Sequence, residues 1–193
     1  MKPIAILHED NGHKELLSEL IDYLNSVEKL QLQLSLVDFY SVGRKSHFFK
    51  SDLMAYKLLK GRIVGGSVKK VLFVIDADSL EDTKYGGVQN TKHELKKIAA
   101  KLDIQDITQI YVVSNPNSEE GHLESMLLAT LPIDKRNCLE CFVKCSKIKS
   151  KSFYKTIIYN LHKTAYPLES FYNFTDSHFN DLKTELKNLF QDI

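Results

Sequence analysis

Val71-Leu72-Phe73-Val74-Ile75-Asp76-Ala77-Asp78 is the stretch on which the reading of this chain turns. Five consecutive apolar residues, mostly β-branched or aromatic, describe a strand covered on both faces, as in parallel sheets flanked by helices. Such sheets hold their ligands beyond the carboxyl ends of the strands, where Asp76 and Asp78 fall. Two carboxylates so close together repel each other unless a proton or a cation lies between them. Mg²⁺ takes oxygen ligands and often uses only one or two carboxylates plus substrate phosphates, so Mg²⁺ (or Mn²⁺) is the expected occupant. The plainer alternative is an acidic turn that merely follows a strand.

Outward from this strand the pattern alternates. Residues 4–7 form a short apolar strand ending at His8-Glu9-Asp10, and Asn11-Gly12 opens a helix whose Leu16, Leu17, Leu20, Ile21, Leu24 and Val27 recur at helical spacing. Leu30, Leu32, Leu34 and Leu36 alternate with polar residues, which predicts a second strand exposed on one face. Leu53, Tyr56, Leu58 and Leu59 suggest a helix before Gly61, and Gly65-Gly66 a turn. Residues 90–102 read as a helix with Leu95, Ile98, Ala99 and Leu102 inward. Residues 110–113 are a further buried strand, closed by Ser114-Asn115-Pro116-Asn117. A helix over 119–131 follows, with Asn117 and Glu120 resembling a capping box. Stretches 137–146, 152–163 and 176–191 also read as helical. The order predicts a three-layer α/β domain: a core at 1–135 with a mainly parallel sheet of about four strands, and a helical part at 136–193 packed on it.

The chain has 193 residues, 43% hydrophobic and 26% charged, as expected of a globular domain. No apolar run approaches the roughly 18 residues of a membrane-spanning helix, and the start Met1-Lys2-Pro3-Ile4 lacks a signal-peptide pattern, so no membrane partner and a cytoplasmic location are expected. A formal net charge of +1 argues against general coating of nucleic acid while leaving room for a local basic patch. Cys138, Cys141 and Cys145 could suggest a metal site, but their intervals form one helical stripe continued by Phe142. No second Cys/His pair completes a tetrahedral set, and reduced core cysteines are the simpler expectation. Lys144 to Lys155 reads as a solvated basic rim.

Acidic residues recur where such a fold brings strand ends together: Glu9 after the first strand, Asp76 and Asp78 after the third, and Glu124 in the helix after the fourth. Each also has a local role open to it, Glu9 or Asp10 as a helix cap and Glu124 on a solvated helix face. Glu9, the following helix, Asp76-Ala77-Asp78 and Ser114-Asn115-Pro116-Asn117…Gly121-His122-Leu123-Glu124 resemble the TOPRIM (topoisomerase–primase) domain. The nearest likeness is to its small stand-alone bacterial version, related to the overcoming-lysogenization-defect nucleases. It runs in order over residues 4–131 and continues more weakly through Lys155-Thr156-Ile157-Ile158-Tyr159 and the Phe179…Leu186…Leu189-Phe190 helix.

The resemblance implies roles. Glu9 would be the general acid/base or an additional metal ligand, Asp76, Asp78 and Glu124 the metal ligands, and Gly121 would permit close backbone approach at a helix start suited to phosphate. Two positions depart from the family. Asp10 stands where it commonly has glycine, and His13 where it has aspartate; a neutral His13 could ligate a metal, although histidine suits Mg²⁺ less than carboxylate does.

The implied chemistry is Mg²⁺-dependent phosphodiester cleavage on nucleic acid. The alternative is a non-catalytic nucleotide/Mg²⁺-binding or regulatory module with a degenerate site. Arg44-Lys45-Ser46-His47-Phe48-Phe49-Lys50 is the candidate phosphate-tracking surface, with Phe48 or Phe49 stacking on a base or lying in the core. Lys60, Arg62, Lys69 and Lys70 could widen it. Haloacid-dehalogenase-type phosphatases also place DxD after a strand, but they want Thr or Val where this chain has Leu80. A response-regulator receiver would use Glu9, Asp10, Asp76 and Ser114, yet it needs a strand-end lysine, and Lys144 lies in a helical stretch.

Overall fold

A computed structural model describes residues 2–81, 84–147, 156–161, 164, 172–191 and 193. Four strands, β1 (Ile4–His8), β2 (Val37–Ser41), β3 (Lys70–Asp76) and β4 (Thr108–Val113), form one sheet in the order β2-β1-β3-β4. All neighbours pair in parallel, with Ile4 opposite Val37 and Lys70, and Asp76 opposite Val113. The helices are α1 (Asn11–Ser26), α2 (Lys45–Phe48), α3 (Met54–Val64), α4 (Val88–Leu102), α5 (Leu123–Thr130), α6 (Ile133–Ser146) and the C-terminal α7 (Asn180–Phe190), with a further helical stretch at 156–161.

Side chains alternate across the sheet because successive Cβ atoms of a strand point to opposite faces. Ile4, Ile6, Leu72 and Val74 share one core with Leu16, Leu20 and Leu24 of α1 and Leu182, Leu186 and Leu189 of α7. Ala5, Leu7, Val71, Phe73 and Ile75 share the other with Phe48, Tyr56, Leu59, Leu95 and Ile98. Each fully buried aliphatic or aromatic side chain contributes about 1.5–3 kcal/mol of transfer free energy, so two such layers dominate the stability of the domain. The fold is therefore a three-layer α/β sandwich. Leu139, Ile158, Tyr172, Phe174 and Phe179 belong to the same core as α1, which ties the C-terminal part to the sheet.

Four expectations need correction. The alternating leucines 30–36 are not a strand. Leu34–Leu36 is a 3₁₀ turn and the strand begins at Val37, because β1 has five residues to pair and Val37–Ser41 takes them all. The Asn25 side chain bonds the Leu32 amide and carbonyl at 2.7 and 2.8 Å, doing the work of a ladder for that segment. The helix expected from 119 begins at Leu123, since Glu119 and Gly121 have positive φ (55° and 98°) and residues 115–121 turn back toward β3. Its cap is the reciprocal pair His122–Ser125, not Asn117–Glu120. Finally, Cys138, Cys141 and Cys145 are free and exposed, and α6 buries Leu139 while Phe142 faces solvent.

Val27 and Leu58, expected on apolar faces, are exposed as well. The part of the expected basic rim at 148–155, and residues 152–155 and 162–163 of the expected helix 152–163, lie outside the described residues. Among the described residues no helix is long and apolar enough to cross a membrane.

Chain direction places the site. From β1 the chain moves to β2 on one side, while β3 and β4 build outward on the other. The sheet thus reverses between β1 and β3, and the carboxyl ends of those two neighbours border the crevice that open α/β sheets use for ligands.

Candidate functional site

Glu9 and Asp10 leave the end of β1, and Asp76, Ala77 and Asp78 leave the end of β3. The turn at 8–10 is held by the buried His8 ring, whose Nδ1 donates to the Asp10 carbonyl at 2.8 Å. Asp10 is the α1 N-cap: its Oδ1 accepts from the His13 amide at 3.2 Å, satisfying a donor that the first helical turn leaves open. A side chain at Gly12 would bring its Cβ within 3.1 Å of the Tyr159 hydroxyl, so this glycine keeps the helix start close to the 156–161 stretch.

His13 is fully buried between two carboxylates. Nδ1 donates to Asp10 Oδ1 at 2.9 Å and Nε2 to Asp76 Oδ1 at 3.0 Å. Burial opposes its charge, but the two carboxylate hydrogen bonds win and raise its pKa to about 10, so the ring is an imidazolium at neutral pH. Asp76 Oδ1 also accepts the Leu123 amide at 3.0 Å, the first donor of α5.

Lys45 brings a second cation. Its ammonium donates to the Ala77 carbonyl and lies 3.5 Å from Asp78 Oδ2, with the side chain 7% exposed. Burial pulls its pKa below the ordinary value against the attraction of Asp78, Glu9 and Asp76. Glu9 bridges the same parts: Oε1 accepts the Lys45 amide at 3.1 Å and Oε2 the Asp76 amide at 3.4 Å. Burial, then the Asp76 carboxylate, pushes the Glu9 carboxyl up from 4.5 to about 7.

Asp78 has a left-handed backbone (φ 53°) and exchanges backbone hydrogen bonds with Gly121 at 2.7 and 3.2 Å. A Cβ on Gly121 would meet Ser125 Oγ at 2.7 Å, so the glycine is required; the backbone it lets in is that of Asp78. Glu124 is buried, with Oε2 2.8 Å from His122 Nδ1. Burial raises the Tyr159 hydroxyl pKa first, followed by the charges of Glu124, Asp10 and Asp76, which locates that ring beside the same cluster.

Glu9, His13, Asp76, Asp78, Gly121 and Glu124 are thus drawn to one edge of the sheet. The basic segments divide. Lys45 is inside the cleft, Phe48 is core against Phe73 (centroids 6.4 Å apart), and Phe49 stacks on Tyr85 at 4.6 Å. Lys69 and Lys70 lie at the start of β3, and Arg62 pairs with Asp38 and Tyr40 and donates to the Lys2 carbonyl, so these cations mark the opposite end of the sheet. Lys45 was expected on a phosphate-tracking surface rather than inside the cleft, and His122 and Tyr159, though within stretches that carry the resemblance, were given no role at the site. A signal for Lys45 existed: with the second strand at 37–41, residue 45 falls just past its carboxyl end.

The donor set answers whether Mg²⁺ fits. Asp76 Oδ1 is taken by the His13 imidazolium and an amide, Asp78 Oδ2 faces the Lys45 ammonium, and both Glu9 oxygens accept backbone amides. Among the described residues no group of three His, Cys, Asp or Glu side chains could hold a metal ion. As arranged, these residues do not fit Mg²⁺; the positive charge that the aspartates require comes from the protein itself. No protein-family model, no curated protein and no solved structure matches this chain.

Proposed function

We propose that this chain is a TOPRIM-like module with a degenerate centre: a non-catalytic regulatory domain that recognises the phosphate of a nucleotide or nucleic-acid end at its sheet edge. One observation carries the reading, namely that His13 and Lys45 hold Asp76 and Asp78 where the resemblance implies Mg²⁺. A carboxylate whose lone pairs are already used by an internal imidazolium or ammonium offers little to a hard cation. Arg44, exposed immediately before Lys45, supplies a phosphate contact at the rim.

A second reading, Mg²⁺-dependent phosphodiester cleavage, is favoured by Glu9, since a carboxyl with a pKa of about 7 is matched to proton transfer at neutral pH. One experiment separates the two. Supercoiled and single-stranded DNA are incubated with the protein and Mn²⁺, and thermal melting is followed with nucleotides. The regulatory reading expects intact DNA and a raised melting temperature. Cleavage that disappears in Glu9→Gln overturns it in favour of the nuclease.

A further inference from the structure

We propose that the open edge of β4 docks an extended peptide segment of a partner protein, added to the sheet as a further strand, in which acidic side chains alternate with basic ones. What the crevice at the ends of β1 and β3 binds has no bearing on this inference. β4 is the last strand of the sheet, with β3 on one side and no strand on the other. The Val113 carbonyl accepts the Ala77 amide at 2.8 Å, so Val113 turns its backbone polar groups toward β3. Those groups alternate in direction along a strand. Ile110 and Val112 therefore point their N–H and C=O outward, where no backbone group among the described residues meets them. Such an edge is a template for one more strand.

The walls name the occupant. The edge lies in a trough between α4 and α7, formed by grooves of about 390 and 470 Å³ that share Lys92 and Ile110. Ile110 and Val112 pack toward α4, whose Lys92 and Lys96 line the trough, and Tyr111 toward α7, whose Asp181 and Glu185 line the other side. Burial raises the Glu185 pKa while Lys92 pulls it down and Asp181 pushes it up, so the opposite charges sense each other across the edge, yet Lys92 and Glu185 form no ion pair. A strand laid on β4 sends successive side chains to opposite faces. One set then meets the lysines and is acidic, and the other meets the carboxylates and is basic. A second copy of this chain fits poorly. Antiparallel pairing of β4 with itself about a two-fold axis keeps each face on its own side, which sets lysines against lysines and acids against acids.

The test uses the full chain and a synthetic peptide of four Glu-Lys repeats with both ends blocked, followed by amide NMR titration and hydrogen exchange at low salt. In the free chain the Ile110 and Val112 amides should exchange faster than those of Tyr111 and Val113, and the peptide should slow them. A peptide with the same residues in one acidic and one basic block should bind at least about tenfold more weakly. A fully N-methylated alternating peptide, which keeps the charges and loses the strand hydrogen bonds, should be weakened as much. Lys92→Glu/Lys96→Glu and Asp181→Lys/Glu185→Lys should each lose about tenfold in affinity. Combining all four reversals should restore binding, because the peptide shifts by one residue to meet the exchanged walls; that rescue also shows that the variants fold. Unchanged exchange at Ile110 and Val112 with peptide present overturns the proposal, as does equal binding of the block or N-methylated peptide. Protection of both amides before peptide is added overturns it too: the edge is then already covered, by a second copy if dilution removes the protection and by the chain itself if it does not.

Discussion

Replacing Glu9 with glutamine removes a charge that the fold opposes. The carboxyl is surrounded by Asp76 and Asp78, with His13 and the Lys45 amide on the favourable side, and burial makes the largest contribution to raising its pKa from 4.5 to about 7. A group more acidic when unfolded than when folded favours unfolding once it ionises, so stability is lost as the pH rises from 4.5 through 7. At about 1.4 kcal/mol for each tenfold change in acidity, ionised Glu9 costs the native state about 3 kcal/mol above neutrality, and solvent at the cleft mouth trims this to about 2. Glutamine keeps an oxygen for the Lys45 amide and carries no charge. Urea unfolding of both proteins from pH 4 to pH 8 should therefore show nearly equal stability at the acid end and a Glu9→Gln protein about 2 kcal/mol more stable above about pH 7. A glutamine variant less stable than wild type at pH 8, or a difference independent of pH, would refute the reasoning. Either would mean that Glu9 is held as a carboxylate by the Lys45 and Asp76 amides.

The other predictions concern the clamp, the turn and the thiols. His13→Ala strands Asp76 and Asp10 without their shared cation and should cost about 3–5 kcal/mol in urea unfolding. Because the folded imidazole titrates near 10, its contribution is complete below about pH 6.5 and fades as the pH climbs toward 10; a gap constant across that range rejects a charged His13. Gly121→Ala meets Ser125 Oγ at 2.7 Å with φ at 98°, whereas Gly12→Ala finds its nearest neighbour at 3.1 Å, so the first should lose about 1–2 kcal/mol more; equal losses would contradict the tight turn. Cys138, Cys141 and Cys145 should react with a thiol reagent in the native protein without change in helical circular dichroism, and protection until unfolding would place α6 differently.

Local pattern carried much of the architecture. β1 and β3 were readable because strands buried on both faces are continuous apolar runs, and Asp76 and Asp78 were readable as strand-end residues for the same reason; β4, at the sheet edge and buried only at Val112 and Val113, was found from its apolar run 110–113. α1 and α4 announced themselves by period, with Leu16, Leu20 and Leu24 or Leu95, Ile98 and Leu102 on one face. β2 did not. Val37-Asp38-Phe39-Tyr40-Ser41 alternates no better than the leucines before it, and only pairing with β1 selects it. The start of α5 was missed because positive φ at Glu119 is a tertiary outcome of the return toward Asp78.

Composition, periodicity and strand-end chemistry were enough to specify a layered α/β domain and to nominate the carboxylates of its crevice. Those properties are local: each follows from neighbours a few residues away. The charge balance of the crevice is not local. His13 meets Asp76 across 63 positions of chain, and Lys45 meets Ala77 across 32, through hydrogen bonds that exist only once α1 and α2 are seated on opposite faces of the sheet. Whether two aspartates await a metal or are already neutralised depends on which cations folding delivers to them, and delivery over such distances leaves no periodic trace in the order of residues.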